Sequence, residues 1–87
     1  MPGQNLLVKI IIDPGRLEHT YLQLARQLRA GIMSGEIGPR MPSLTELTEQ
    51  TGLAQGTVRR AFGVLADEGL IASERGRGTF VVRQPEE

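Results

Sequence analysis

The chain has 87 residues, 39% of them hydrophobic and 23% charged, with 10 basic and 10 acidic side chains and a net charge of zero. Such a chain builds one small globular domain: it is too short for two separately cored units and too apolar to stay unfolded. Cysteine is absent, which excludes a disulfide framework and a thiolate metal site.

The first patterned segment is Leu6 to Ile12, apolar and β-branched around Lys9, followed by Asp13-Pro14-Gly15. It is predicted as a short N-terminal strand ended by a turn. No basic region precedes it and no small-residue cleavage site follows, so it does not read as a signal peptide. It is also far shorter than the roughly 20 residues a membrane span needs. A cytoplasmic protein with no membrane partner is expected.

From Glu18 to Ser34 the apolar residues Tyr21, Leu24, Ala25, Leu28 and Ile32 recur at the spacing of one helical face, with Gln23, Arg26, Gln27 and Arg29 turned outward. Gly35 stands where a helix-ending glycine is expected. Gly38-Pro39-Arg40-Met41-Pro42 breaks the chain. Ser43-Leu44-Thr45-Glu46 then fits a capping box, opening a short helix from about Leu44 to Gln50 with Leu44 and Leu47 inward. After the turn Thr51-Gly52-Leu53-Ala54, a third helix is predicted over Gln55 to Glu68, with Val58, Ala61, Phe62 and Leu65 buried and Gly69 as its cap. Two strands, Leu70–Ser73 and Thr79–Val82, read as a hairpin around a polar, glycine-bearing loop.

Zero net charge hides an uneven distribution. Residues 1 to 54 carry five basic and five acidic side chains, whereas residues 55 to 83 carry Arg59, Arg60, Arg75, Arg77 and Arg83 against Asp67, Glu68 and Glu74. On a helical projection of about 100° per residue, the third helix turns Gly56, Thr57, Arg59, Arg60 and Gly63 away from its apolar stripe. Gln55 lies near the border at the N-terminus. A short capped helix, a glycine turn and a second helix follow the helix-turn-helix plan, whose second helix enters the DNA major groove. Arg75 and Arg77 at the hairpin tip, flanking Gly76, supply a second basic contact for the flanking backbone or minor groove.

Four segments in order, "YLQLARQLRAGIMSGEI", "MPSLTEL", "TGLAQGTVRRAFGVLADEGLI" and "GRGTFV", resemble the DNA-binding domain of the GntR family of bacterial transcription regulators, from Tyr21 to Val82. The resemblance implies an α+β, mainly α, winged helix-turn-helix: three helices and a C-terminal β-hairpin wing, here preceded by the short N-terminal strand. It divides the chain into residues 1–17 (strand and turn), 18–83 (DNA-binding domain) and 84–87 (a loose tail). It implies double-stranded DNA as partner and a regulatory, most often repressing function; joined to the exposed basic helix face and hairpin tip above, it gives contacts from Ser43, Thr45, Gln55, Gly56, Thr57, Arg59, Arg60, Arg75, Gly76 and Arg77. The sequence departs from the family pattern at Thr45 and in Ala54-Gln55-Gly56, where Ser-Arg-Thr is usual; Thr45 and Gln55 stand where family members usually carry arginine. Gln55 can pair with adenine where arginine favours guanine. Family members continue into a ligand-sensing or dimerising domain, and no effector site is expected in these residues. Met1 and the tail "RQPEE" suit either a unit that stands alone or part of a longer protein. A homodimer is expected to use the N-terminal strand or to form only on DNA, where two copies about 34 Å apart read the same face of the duplex.

Other chemistries find no support. Gly76-Arg77-Gly78 joins two strands with no following helix to present to a phosphate. His19 is the only histidine and has no metal-ligating companion. Ser43 has no base near it in sequence, and Asp67 and Glu68 are adjacent, so they diverge on a helix. No catalytic residue, no metal and no cofactor are expected. The rival reading is a protein-interaction module that uses the same fold without DNA.

Overall fold

The computed structural model describes residues 9–82. The elements are α1 (Thr20–Ser34), α2 (Leu44–Thr51), α3 (Gln55–Asp67), β1 (Ile71–Glu74) and β2 (Gly78–Val81). The strands pair antiparallel, from Ile71 opposite Val81 to Glu74 opposite Gly78, around the three-residue turn Arg75–Gly76–Arg77. This is the winged helix-turn-helix that the sequence predicts.

The helix ends follow local chemistry. Ser43 Oγ accepts from the Glu46 amide at 3.0 Å and the Ser43 amide donates to Glu46 Oε1 at 2.8 Å, completing the capping box of α2. Gly52 ends that helix at φ 76, a left-handed conformation that glycine adopts without strain, and so makes the tight turn into α3. Beyond α3, the Leu70 amide reaches the Leu65 carbonyl and the Gly69 amide reaches Ala66. This paired closure ends a helix on its orphan carbonyls and folds Leu70 back onto the core.

The core joins Leu24, Ala25, Leu28 and Ile32 of α1 to Leu47 of α2, Val58, Ala61, Phe62 and Leu65 of α3, and Ile71 of β1. Ile37 and Met41 complete it from the connector between α1 and α2, which the sequence presents only as a break. The connector also pairs with the wing. The Met41 amide donates to the Thr79 carbonyl at 2.9 Å and the Val81 amide to the Pro39 carbonyl at 2.7 Å, with Arg40 bridged to Phe80. Thus the hairpin is fastened along one edge and does not project from α3 alone.

Two expectations are corrected. Gln23, assigned to the outer face of α1, is buried at 1% exposure. Its amide accepts from the Asp13 N–H and donates to the carbonyls of Asp13 and Glu18. The strand expected over residues 6–12 is not formed where it is described. Residues 9–12 have no strand partner among the described residues, and Leu6, Leu7 and Val8 lie outside them. Ile11 exchanges both backbone hydrogen bonds with the Gln27 side chain, at 2.8 and 2.6 Å. Glutamines one helical turn apart therefore serve alternate residues, Ile11 and Asp13, in the way a neighbouring strand would, while Ile10 and Ile12 pack against the core. A side-chain amide carries the same donor and acceptor as a peptide group, so the substitution satisfies the backbone.

Candidate nucleic-acid interface

The apolar stripe of α3 turns inward and leaves Gln55, Gly56, Arg59, Arg60 and Gly63 exposed, with Thr57 half-buried. Nothing in the fold requires glycine at positions 56 and 63: neither has positive φ, and an added Cβ would meet no atom within 4 Å. Glycine inside a helix costs about 0.5–1 kcal/mol relative to alanine. Two such residues on the outer face lower the surface of α3 where a large partner would lie.

Ala54, the N-cap of α3, offers no side-chain hydrogen bond, and His19 offers none at α1. Only α2, with its capping box, has a side-chain acceptor at its N-terminus. The free ends of α1 and α3 face a common cleft of about 500 Å³, bordered by His19 and Tyr21 on one side and Gly56, Thr57 and Arg60 on the other. Sequence reading selects Gly56, Thr57 and Arg60. It misses the α1 wall, because Tyr21 falls within the apolar stripe and His19 looks like an isolated surface residue.

The wing tip is a separate exposed feature. Gly76 takes φ 79, so a left-handed turn residue lies between Arg75 and Arg77. Arg77 lies 3.6 Å from Glu74, an exposed pair of small energetic weight. The Arg40 guanidinium donates to the Arg77 carbonyl at 3.3 Å and lies 5.9 Å from the Phe80 ring centroid. A Cβ on Gly78 would stand 3.2 Å from Arg40 Nη2, so the glycine there makes room for the guanidinium that braces the wing. Arg40 is a further residue that sequence reading misses. Its signal is visible only once the connector lies beside β2. Ser43 and Thr45 are exposed at the start of α2; Ser43 is engaged in the cap, and neither borders the cleft.

Among the described residues, Arg59, Arg60 and Arg75 have no carboxylate within ion-pairing distance. Two arginines on α3 and one on the wing thus keep a charge that no described carboxylate compensates, on a chain of zero net charge. No group of three or more potential metal-ligating side chains occurs among the described residues.

The family model for bacterial regulatory proteins of the gntR family matches residues 20–81. The chain belongs to this family. The transcriptional repressor NagR of Bacillus subtilis is 46% identical to the present GntR domain over 63 residues, 70% of this chain and 26% of that protein. The arabinose metabolism transcriptional repressor of Geobacillus stearothermophilus is 40% identical over 65 residues, 72% of this chain and 18% of the relative. The GntR domain thus spans about a quarter or less of the length of these two relatives. In structure it resembles the AraR DNA-binding domain in complex with operator ORX1, with TM-score 0.76 and 30% identity over 86% of this chain and 96% of that one. It equally resembles YtrA, a GntR-family transcription factor from Sulfolobus acidocaldarius, with TM-score 0.77 and 34% identity over 90% and 82% of the two chains. Fold and family are those of the DNA-binding domains of transcription regulators and not of an enzyme.

Proposed function

We propose that this chain binds double-stranded DNA as the recognition domain of a bacterial transcription repressor, with α3 in the major groove and the wing turn on the flanking backbone or minor groove. The observation that carries this reading is the set of exposed cations Arg59, Arg60 and Arg75, which have no carboxylate partner among the described residues. It is supported by the lowered outer face of α3 and by relatives described as repressors. Gln55 and Thr57, in the first turn of α3, are assigned to base edges, where recognition helices make such contacts. Gly56 admits the DNA backbone. Arg59, Arg60, Arg75 and Arg77, with Ser43, Thr45 and the Gly76 backbone, are assigned to phosphates and groove walls.

A cytoplasmic location follows from this function, and no described helix is long and apolar enough to cross a membrane. A pair of domains on a palindromic site supplies the contact area that one domain lacks. We assign pairing to the N-terminal segment or to DNA itself. The N-terminal route is constrained by the structure, because Ile10 and Ile12 already pack against the core.

The test is salt dependence. Neutralising about three phosphates per domain makes log K fall with a slope near −2.7 against log[salt], from about −0.9 per phosphate. Fluorescence anisotropy on a random-sequence duplex across a salt series measures it. Absence of duplex binding at low salt, or binding indifferent to salt, overturns the reading and favours a protein partner.

A further inference from the structure

Tyr21 belongs to the inward side of α1 and Arg60 to the outward face of α3, yet the fold brings them together at the rim of the interface. The Arg60 guanidinium carbon lies 4.6 Å from the Tyr21 ring centroid, within the roughly 6 Å over which a ring face attracts a cation. The His19 ring lies near-parallel to the same tyrosine, 6.1 Å away with 18° between the planes. No carboxylate among the described residues competes for Arg60, so the ring is the group that directs it. A guanidinium carbon held over a ring, with no described carboxylate on its N–H groups, keeps donors available for the two-pronged contact that suits a phosphate. An arginine already held in place also loses less rotamer freedom when its partner arrives.

We propose that Tyr21 is a positioning residue of the interface: its ring holds the Arg60 guanidinium at the cleft between α1 and α3, where Arg60 takes one phosphate of the DNA backbone. Arg60 borders that cleft together with Gly56 and Thr57. Pinned against α1, it stands at the flank of α3, where a helix lying in a groove meets the sugar-phosphate strand more readily than base edges. This assignment rests on the DNA-binding reading and extends the interface to α1, outside the helix-turn-helix.

The experiment uses anisotropy on a random-sequence duplex over a salt series, with thermal melts alongside, for the wild type, Tyr21→Phe, Tyr21→Leu, Arg60→Ala and the Tyr21→Leu/Arg60→Ala double variant. Tyr21→Phe keeps the ring face and is expected to bind like the wild type. Arg60→Ala is expected to reduce the salt slope by about 0.9. Tyr21→Leu should weaken binding by about two- to five-fold, and this loss should vanish when Arg60 is already alanine. A tyrosine that merely packs would produce the same loss with or without Arg60; that result overturns the proposal, as does unchanged affinity in Tyr21→Leu. If Tyr21→Leu does not fold, Arg60→Lys replaces it, because lysine keeps the charge without the planar face. A loss of about two- to five-fold then supports the proposal, and wild-type affinity overturns it. Failure of the wild type to bind any duplex overturns the DNA reading and this proposal together, whereas duplex binding without Tyr21–Arg60 coupling overturns the positioning role alone.

Discussion

The arginines of α1 and its lead-in are bound differently from those of α3 and the wing. Arg16 and Arg26 share Glu18, at 3.7 and 3.0 Å, and Arg29 reaches Glu68 at 2.6 Å. Arg59, Arg60 and Arg75 have no such partner among the described residues. Arg77 lies between the two cases, 3.6 Å from Glu74 at the wing. Zero net charge therefore conceals one region whose arginines are ion-paired and another where Arg59, Arg60 and Arg75 have no carboxylate partner among the described residues. A polyanion responds to the second region because screening over about 10 Å in salt makes the local field matter more than the total.

The comparison predicts that substitutions on the core side change stability and those on the free-cation side change binding. The largest effect is expected at Phe62, on the inner face of α3. Phe62→Ala should cost about 3–5 kcal/mol in thermal or denaturant unfolding. A silent Phe62→Ala would invert the assignment of the faces of α3.

Next in size is Gln23→Leu. It leaves the Asp13 amide and the carbonyls of Asp13 and Glu18 without the partner they now have, at an expected cost of about 1–3 kcal/mol. Amide exchange at Asp13 should rise with it. Unchanged exchange there would mean that Gln23 does not hold the N-terminal segment in place.

The two classes of arginine separate in a paired experiment. Arg29→Ala removes a half-exposed ion pair and should cost at most about 1 kcal/mol of stability, leaving the salt slope of DNA binding unchanged. Arg59→Ala should do the opposite, with stability within about 0.5 kcal/mol of wild type and a slope reduced by about 0.9. Equal slopes in the two variants would erase the distinction between the regions.

The smallest effect is the pH dependence. The hydrogen bond from Arg29 holds the Glu68 carboxyl below its ordinary value, and that from Arg26 does the same to Glu18. A carboxylate lowered on folding contributes stability that is complete above its unfolded value and is lost as pH falls through the folded one. The difference in Tm between wild type and Arg29→Ala should thus be constant near neutrality and close on the acid side of the ordinary glutamate range. A difference that persists after Glu68 is protonated would assign the effect of Arg29 to packing.

Much of this molecule was legible from local rules. The capping box at Ser43, the glycine ends at Gly35 and Gly52, and the stripe Val58, Ala61, Phe62 and Leu65 all depend on residues within a turn or two of one another. Helix boundaries and the outward direction of Arg59 and Arg60 follow from the same short-range periodicity. Gln23 escaped it because a polar side chain at a helix position is buried only if distant backbone groups can satisfy it, and those groups belong to a segment ten residues earlier. The apolar run before Asp13 read as a strand for a related reason: its pattern specifies burial of Ile10 and Ile12 but not what its backbone bonds to, and α1 supplies glutamine amides in place of a strand.

The sequence by itself determined the helix-turn-helix, its register and its exposed cations, because these are set by contacts close along the chain. Tertiary structure alone decided that Arg29 is compensated, since it meets Glu68 only when α1 packs on α3. It also decided that Tyr21 shares its ring with Arg60 and that Arg40 braces the wing. Each of these depends on the packing angle between elements, which the whole core selects and no short stretch of residues encodes.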